Sequence, residues 1–212
     1  MSALRFSSLI ILFPILFGAC GRSELIRIRM LAPVTEDKKD YAIFTDTTSS
    51  SSFTPTITNK NVGGSLYFLF KSIGLGYTTI TTKMEKVDEK LTEKTTLVTN
   101  FADVAFGIGE NYTFMWGAGV LTGGKWETSL EYDSKTFNPK HNYLGGHSLF
   151  FVLGHHGFGF ETLLGYRTNS IKAEFEEINS SDIGKTDKDF TYESNKISLT
   201  TSQVQLGIGF TF

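Results

Sequence analysis

The chain has 212 residues with 20 basic and 22 acidic side chains, so it lacks the basic surplus that would favour nucleic acid as a partner. It contains 19 Phe and 21 Gly but only 4 Pro, a composition that favours strands joined by tight turns. Beyond residue 20 there is no run of about 18 apolar residues, which excludes a helical membrane protein. Any membrane crossing by the later chain must therefore be made by strands.

The first residues have the pattern of an export signal. Arg5 supplies a positive charge, residues 9–17 are almost wholly apolar, and Gly18 and Ala19 are the small residues that precede a cleavage point. The apolar run is too short to serve as a membrane anchor. We therefore predict a cleaved signal peptide at 1–19 and a mature domain at 20–212.

Cys20 is the only cysteine, so it cannot form an internal disulfide. The residues from Phe17 to Cys20 resemble a bacterial lipobox, whose cysteine is acylated and becomes the first mature residue. Phe17 stands where the usual pattern has Leu, which is closer to the relaxed lipoboxes of spirochaetes. The resemblance implies a lipid on Cys20, and the alternative is a cysteine that belongs to, or adjoins, the removed leader.

Apolar and polar residues alternate with the period of a strand along most of the remaining chain. The first such segment sets Ile26, Ile28 and Met30 against Arg27 and Arg29. The predicted strands cover 25–30, 62–70, 73–81, 97–108, 112–122, 144–153, 157–173 and 196–212. In 144–153 both faces are apolar, so the pattern does not determine which face points inward. In 196–212 the alternation slips at 200–203, which predicts a β-bulge there.

The connections between these strands alternate in length. Long polar connections are predicted at 32–61, 85–94, 123–142 and 174–195, and short turns at 71–72, 109–111 and 155–156. Residues 85–94 also fit a helix with charges paired at i,i+4, but the flanking strands favour a solvated loop. An even strand number with alternating short turns and long loops is typical of outer-membrane barrels.

The last nine residues, 204–212, alternate large apolar residues with small or polar ones and end on an aromatic. This stretch resembles the carboxy-terminal assembly signal of small bacterial outer-membrane barrel proteins, the OmpA/OmpX-like class. The resemblance implies an all-β, eight-stranded antiparallel up-and-down transmembrane β-barrel, monomeric, in outer-membrane lipid. It also implies that Phe210 and Phe212 are recognised by the barrel-assembly machinery, with both termini periplasmic and the long loops extracellular.

The alternation predicts which charged side chains point into the lumen. They are Arg27, Arg29, Asp103, Glu161 and Arg167. Counted from the short turns, Asp103 and Glu161 lie at similar depths, so we expect one ion-pair network across the lumen. Because isolated buried charges are costly, such a cluster either plugs a narrow barrel or lines a narrow gated conduit.

The sequence gives little support for a catalytic or metal-binding site. His147, Ser148 and Glu161 are residue types used by outer-membrane lipid hydrolases, but adjacent strand residues point to opposite faces. We interpret His155 and His156 as a solvated turn pair and predict neither a metal nor a cofactor. Aromatic residues near strand ends suit interface girdles. They are Tyr77, Tyr112, Trp126, Tyr132 and Tyr166.

The sequence therefore favours a non-enzymatic outer-membrane barrel whose surface loops bind extracellular molecules or support the envelope. One alternative is a small pore. Another is a soluble, lipocalin-like ligand-binding barrel on a lipid anchor, although an outer face rich in aromatics and a polar inner face favour the membrane. A lipid-modifying enzyme is the least favoured. The loops contain no diagnostic motif for a ligand.

Overall fold

The computed structural model of the protein describes residues 26–34, 44–46, 56–87, 91–132, 135–138, 140–157, 159–175, 190–192 and 196–212. Their strands are β1 (Ile26–Pro33), β2 (Phe44–Asp46), β3 (Thr56–Phe70), β4 (Ile73–Val87), β5 (Leu91–Gly109), β6 (Tyr112–Tyr132), β7 (Lys135–Phe137), β8 (His141–Gly157), β9 (Phe160–Phe175), β10 (Phe190–Tyr192) and β11 (Lys196–Thr211). Within these ranges, no helix has the length and apolarity to cross a membrane. The predicted signal peptide and Cys20 lie outside the described residues.

The long strands close into a barrel. Each of β1, β3, β4, β5, β6, β8, β9 and β11 pairs antiparallel with its neighbours along the chain, and β11 pairs back onto β1. Closure leaves no free sheet edge around most of the wall. The predicted all-β, eight-stranded antiparallel up-and-down barrel is confirmed. The short strands are accessory: β2 pairs with β10, and β7 pairs with the end of β6.

The barrel strands extend into every predicted loop. The largest difference is at 85–94, where neither a loop nor a helix is present outside the undescribed residues 88–90. Glu85 lies opposite Lys94 and Lys86 opposite Glu93, so the charges are arranged as cross-strand pairs. The other predicted loops shorten in the same way, because β1, β6 and β9 end later, and β3, β8 and β11 begin earlier or at the predicted boundary.

Two irregularities differ from the predictions. The third short turn follows Gly157 instead of occupying 155–156, and Gly159 adopts a positive φ of 87° that favours glycine. The β9–β11 register is continuous, so the predicted bulge at 200–203 is wrong. The inward face changes there from polar Gln203 to apolar Leu199, which obscures a regular alternation. A bulge lies instead between β5 and β6 and leaves Thr122 as the extra residue.

Two apolar clusters fill the lumen at different levels. The cluster nearer the short turns contains Leu31, Tyr67, Leu69, Ala105, Met115, Phe150, Val152 and Leu163. The cluster nearer the loops contains Met84, Leu97, Phe101, Trp126, Leu130, Ile171, Ala173, Phe175 and Leu199. We call the parts of the barrel around these clusters the short-turn half and the loop half.

The outer surface of the two halves differs sharply. Exposed large hydrophobic residues cover the short-turn half all around the wall, for example Phe70 on β3, Leu153 on β8 and Leu206 on β11. In the loop half the outward positions are mostly Thr, Ser, Lys and Glu. The apolar surface therefore forms a belt around one half only.

Candidate functional site: the ionic lumen of the barrel

The lumen of the short-turn half contains the charged residues that the sequence places there. All of them point inward and are buried from solvent. They are Arg27, Arg29, Asp103, Glu161 and Arg167. Strand alternation brings them inside because their neighbours on both sides point to the outer surface.

The first ion pair lies close to the short turns, between β1 and β9. The Arg29 side chain donates from Nε to Glu161 Oε2 at 2.7 Å and from Nη2 to Glu161 Oε1 at 2.9 Å. Nη2 also donates to the Thr113 hydroxyl at 2.8 Å. This two-point geometry is the strong form of an arginine–carboxylate contact, and burial further strengthens it.

The second ion pair lies deeper, between β9 and β5. Arg167 Nη1 and Nη2 donate to Asp103 Oδ2 and Oδ1, each at 2.9 Å. Nε donates to Asn169 Oδ1 at 3.0 Å, and Nη2 also donates to the Ser148 hydroxyl. With the contact from Nη1 to Tyr67 at 3.2 Å, every guanidinium nitrogen has a partner.

Aromatic rings enclose this second pair from both levels. The Arg167 guanidinium carbon lies 4.8 Å from the centre of the Phe101 ring and 5.4 Å from that of Phe150. Phe101 belongs to the apolar cluster of the loop half, and Phe150 to that of the short-turn half. The cation therefore joins the two apolar layers, where cation–π attraction adds to the ion pair.

The five charges do not form one network. Glu161 and Arg167 are six residues apart on β9, a separation of about 20 Å along a strand. Asp103 binds Arg167 and therefore lies at the depth of Arg167, whereas Glu161 binds Arg29 nearer the short turns. Asp103 and Glu161 thus lie at different depths, contrary to our expectation. Counting residues from the turns failed for two reasons. The third turn follows Gly157, which makes Glu161 the second residue of β9, and the strands of a closed barrel are staggered.

Several polar atoms remain at the short-turn end of the lumen. Arg27 Nη2 donates to the Gly109 carbonyl at 2.9 Å. Arg29 Nη1, His156 Nε2 and Thr211 Oγ1 are buried without a hydrogen-bond partner among the described residues. No group of three or more His, Cys, Asp or Glu side chains in the described part of the chain is arranged to hold a metal ion.

His147 and Ser148 occupy opposite faces of β8. His147 is exposed on the outer surface, whereas the Ser148 hydroxyl is buried and accepts the hydrogen bond from Arg167. Glu161 is held by Arg29. These residues therefore form no hydroxyl–imidazole–carboxylate arrangement of the kind that activates a serine.

One predicted girdle residue is placed wrongly. Tyr77, Tyr112 and Tyr166 are exposed on the outer surface, but Trp126 points into the loop half and is buried. Its ring meets Phe175 edge-on, with centroids 5.6 Å apart. The bulge at Thr122 reverses the alternation of β6 and turns Trp126 inward. The Tyr132 side chain lies outside the description.

The neutral partners of the ion pairs were not predicted from the sequence. Tyr67, Thr78 and Ser148 all point inward at the level of Asp103, and the Thr78 hydroxyl donates to Asp103 Oδ2 at 2.7 Å. Gly119 provides the room, since a Cβ there would lie 1.9 Å from Asp103 Oδ1. Strand alternation predicts that these hydroxyl groups point inward. It does not predict that they lie at the same depth in the lumen as Asp103.

The fold and its lumen define a closed eight-stranded barrel held by buried ion pairs. No protein-family model matches the chain. No curated protein matches it either. Among solved structures, the chain is similar to the outer membrane protein OprG from Pseudomonas aeruginosa, with 12% identity and a TM-score of 0.43. That similarity covers 91% of this chain and 98% of OprG.

Proposed function

We propose that this protein is a bacterial outer-membrane β-barrel whose short-turn half spans the lipid and whose loop half projects outside. The observation that carries the proposal is the belt of exposed hydrophobic residues around charged and polar lumen residues. Leu75 is 69% exposed and Ile73 60%, while Arg29 and Arg167 are fully buried behind the same wall. In water this arrangement would be unfavourable, but in a bilayer it satisfies both faces.

The dimensions of the belt support this proposal. Outward apolar residues on β11 and at the chain terminus run from Val204 to Phe212, a length of about 26 Å along a strand. A strand tilt of about 40° reduces this to about 20 Å, close to the apolar band of about 25 Å in such barrels. The polar loop half then lies beyond the lipid, with the short turns and both barrel termini on the periplasmic side.

The alternative of a soluble lipocalin-like barrel on a lipid anchor is disfavoured. Soluble monomers rarely expose an apolar patch of more than a few hundred Å². A belt that includes Phe68, Phe151, Leu164 and Ile208 continues around the whole wall.

We infer a non-enzymatic role in surface interaction or envelope support. The Arg167–Asp103 pair and the aromatic rings beside it occupy the lumen, which disfavours a pore, and His147 lies on the opposite face from Ser148. Planar-bilayer recordings of the purified protein should show no stable channel. Steady conductance that changes in Asp103→Ala would instead support the pore.

Two further proposals concern export and assembly. We propose that Cys20 carries a lipid, and a palmitate analogue should label the wild type but not Cys20→Ala. Equal labelling of both would exclude this attachment. We also propose that Phe210 and Phe212, at the end of β11, are read by the barrel-assembly machinery.

The decisive test of the membrane assignment is gel mobility. Protein from purified outer membranes should migrate differently in SDS with and without boiling, because a closed lipid-embedded barrel resists SDS until it is heated. An unchanged band, with the protein recovered in the soluble periplasmic fraction, would favour the lipocalin-like alternative.

A further inference from the structure

Two lysines face each other on the outer surface of the hairpin formed by β3 and β4. Lys60 lies directly opposite Lys83, and both side chains are exposed. The register of the two strands is continuous, and beside the lysines, on the inner face, the Thr82 hydroxyl donates to Asn61 Oδ1 at 2.7 Å. The hairpin therefore holds two cations opposite each other, and like charges in this position destabilise a strand pair.

Two acidic side chains of the same wall are bound to other lysines. Glu85, the next outward residue on β4, lies 3.4 Å from Lys94. Glu127, in the same cross-strand row on β6, contacts Lys125. Neither lysine of the opposed pair has an ion-pair partner in the part of the chain that the structure describes. The pair therefore presents positive charge that an external anion can neutralise.

The lysine pair lies at the edge of the apolar belt. On β3 the outward apolar residues run from Phe70 to Val62, with Gly64 among them, and Lys60 is the next outward residue. Phe70 to Val62 spans about 26 Å of strand, or about 20 Å across the bilayer with a tilt of about 40°. Lys60 then lies about 5 Å beyond the belt, at the level of lipid head groups. Lysines at this level attract negatively charged lipids.

The surface between the lysines and the belt suits an amphiphilic ligand. Val62 is 53% exposed and lies opposite Thr81, and Gly64 lies opposite the exposed Thr79. This wall therefore changes from cations through hydroxyl groups to apolar side chains within a few residues. A lipid changes in the same order, from its phosphate through its glycerol oxygens to its acyl chains. A soluble anion would use only the cations.

We propose that Lys60 and Lys83 together bind the phosphate of a lipid head group in the outer leaflet. The phosphate lies between the two ammonium groups and relieves their repulsion. Thr81 donates to the glycerol region, and Val62 contacts the start of an acyl chain. This inference rests on the proposed membrane insertion, because the ligand comes from the surrounding lipid.

The first test measures binding of phosphatidylglycerol to the full chain, refolded in zwitterionic micelles, by native mass spectrometry. The wild type should bind the lipid, and Lys83→Gln should weaken binding by roughly fivefold. The matched control is Lys172→Gln, which removes an exposed lysine from β9, four strands from β4 in the ring of eight. Because this lysine lies on the far side of the barrel, the control should change binding by less than about twofold.

The second test replaces the proposed anion with a carboxylate of the protein. Lys60→Glu places opposite charges across the hairpin, where they attract each other. In phosphatidylcholine vesicles, Lys60→Glu should therefore require more urea to unfold than the wild type does. Addition of phosphatidylglycerol should stabilise the wild type and leave Lys60→Glu almost unchanged.

Three results would overturn the head-group site. They are equal losses of binding in Lys83→Gln and Lys172→Gln, an equal response of Lys60→Glu and the wild type to phosphatidylglycerol, and displacement of the lipid by an equal concentration of inorganic phosphate. The last result would indicate a site for soluble anions. Heat-dependent gel mobility is measured on every variant. Its absence in the wild type would overturn the membrane insertion itself, whereas its presence without a lipid response would overturn the lysine site alone.

Discussion

In the short-turn half Leu75 points outward and Asp103 inward, whereas in the loop half Lys125 points outward and Trp126 inward. Seven of the eight barrel strands continue from the short-turn half into the loop half, whereas β1 ends at Pro33. The inner and outer surfaces of the two halves nevertheless differ in opposite senses. Under the proposed membrane insertion, lipid around the short-turn half favours an apolar exterior with a polar lumen, and water around the loop half favours an apolar core. A single barrel can therefore have opposite inner and outer surfaces in its two halves.

The lumen shows how each half is stabilised. In the short-turn half two ion pairs with complete or nearly complete hydrogen bonding are set within a smaller apolar cluster. In the loop half the apolar cluster around Trp126 and Phe175 replaces them. Removing one charge should therefore be costly in the first half, and removing apolar volume costly in the second.

The largest effect is expected from Asp103→Ala. It leaves the Arg167 guanidinium buried without a carboxylate, and we expect the free energy of unfolding to fall by about 3–5 kcal/mol. Urea unfolding in lipid vesicles measures this. The double variant Asp103→Leu with Arg167→Met removes both charges and should recover most of the loss. A loss below about 1 kcal/mol for Asp103→Ala would show that the pair is not buried as described.

The next effect tests the apolar core of the loop half. Leu97 is 1% exposed within that cluster, so Leu97→Ala should cost about 3 kcal/mol in the same unfolding assay. The control is Leu206→Ala on the belt, where the side chain is 52% exposed and its loss leaves no internal cavity. Equal costs at the two positions would remove the distinction between a core that packs and a belt that contacts lipid.

A smaller effect compares the same substitution on the two outer surfaces. Leu75→Arg places a charge within the belt and should cost about 2–3 kcal/mol in lipid vesicles. Thr200→Arg, outward in the loop half, should change stability by about 0.5 kcal/mol or less. If Leu75→Arg has no cost in lipid, the belt does not face the bilayer and the boundary between the halves is misplaced.

The smallest change in equilibrium stability is expected at the chain end. Phe212 is exposed and its backbone N–H donates to the Ile26 carbonyl at 2.9 Å. Deletion of Phe212 should lower the outer-membrane level severalfold, because the terminal aromatic is the proposed assembly signal. Phe212→Tyr keeps an aromatic and serves as the control. Unchanged levels after deletion would exclude this role.

Much of the short-turn half could be predicted from the sequence because its alternation is simple. In 204–212, apolar residues at every second position identify the outer face. On other strands, charged residues alternate with such apolar residues and therefore point into the lumen. The strands of the loop half were harder to predict, since a strand whose outward residues are polar has the composition of a loop. Residues 85–94 are the clearest case, because Glu85 lies opposite Lys94 and Lys86 opposite Glu93 on paired strands. These charges were predicted to belong to a solvated loop.

The sequence alone determined the number of barrel strands, their up-and-down order and the identity of the five inward charges that it predicted, because strand alternation and turn spacing are local properties. Tertiary structure decided which charges meet, since stagger between strands sets their depth and brings Arg29 to Glu161 but Arg167 to Asp103. It also decided the inward turn of Trp126, because a single extra residue shifts every later side chain to the other face.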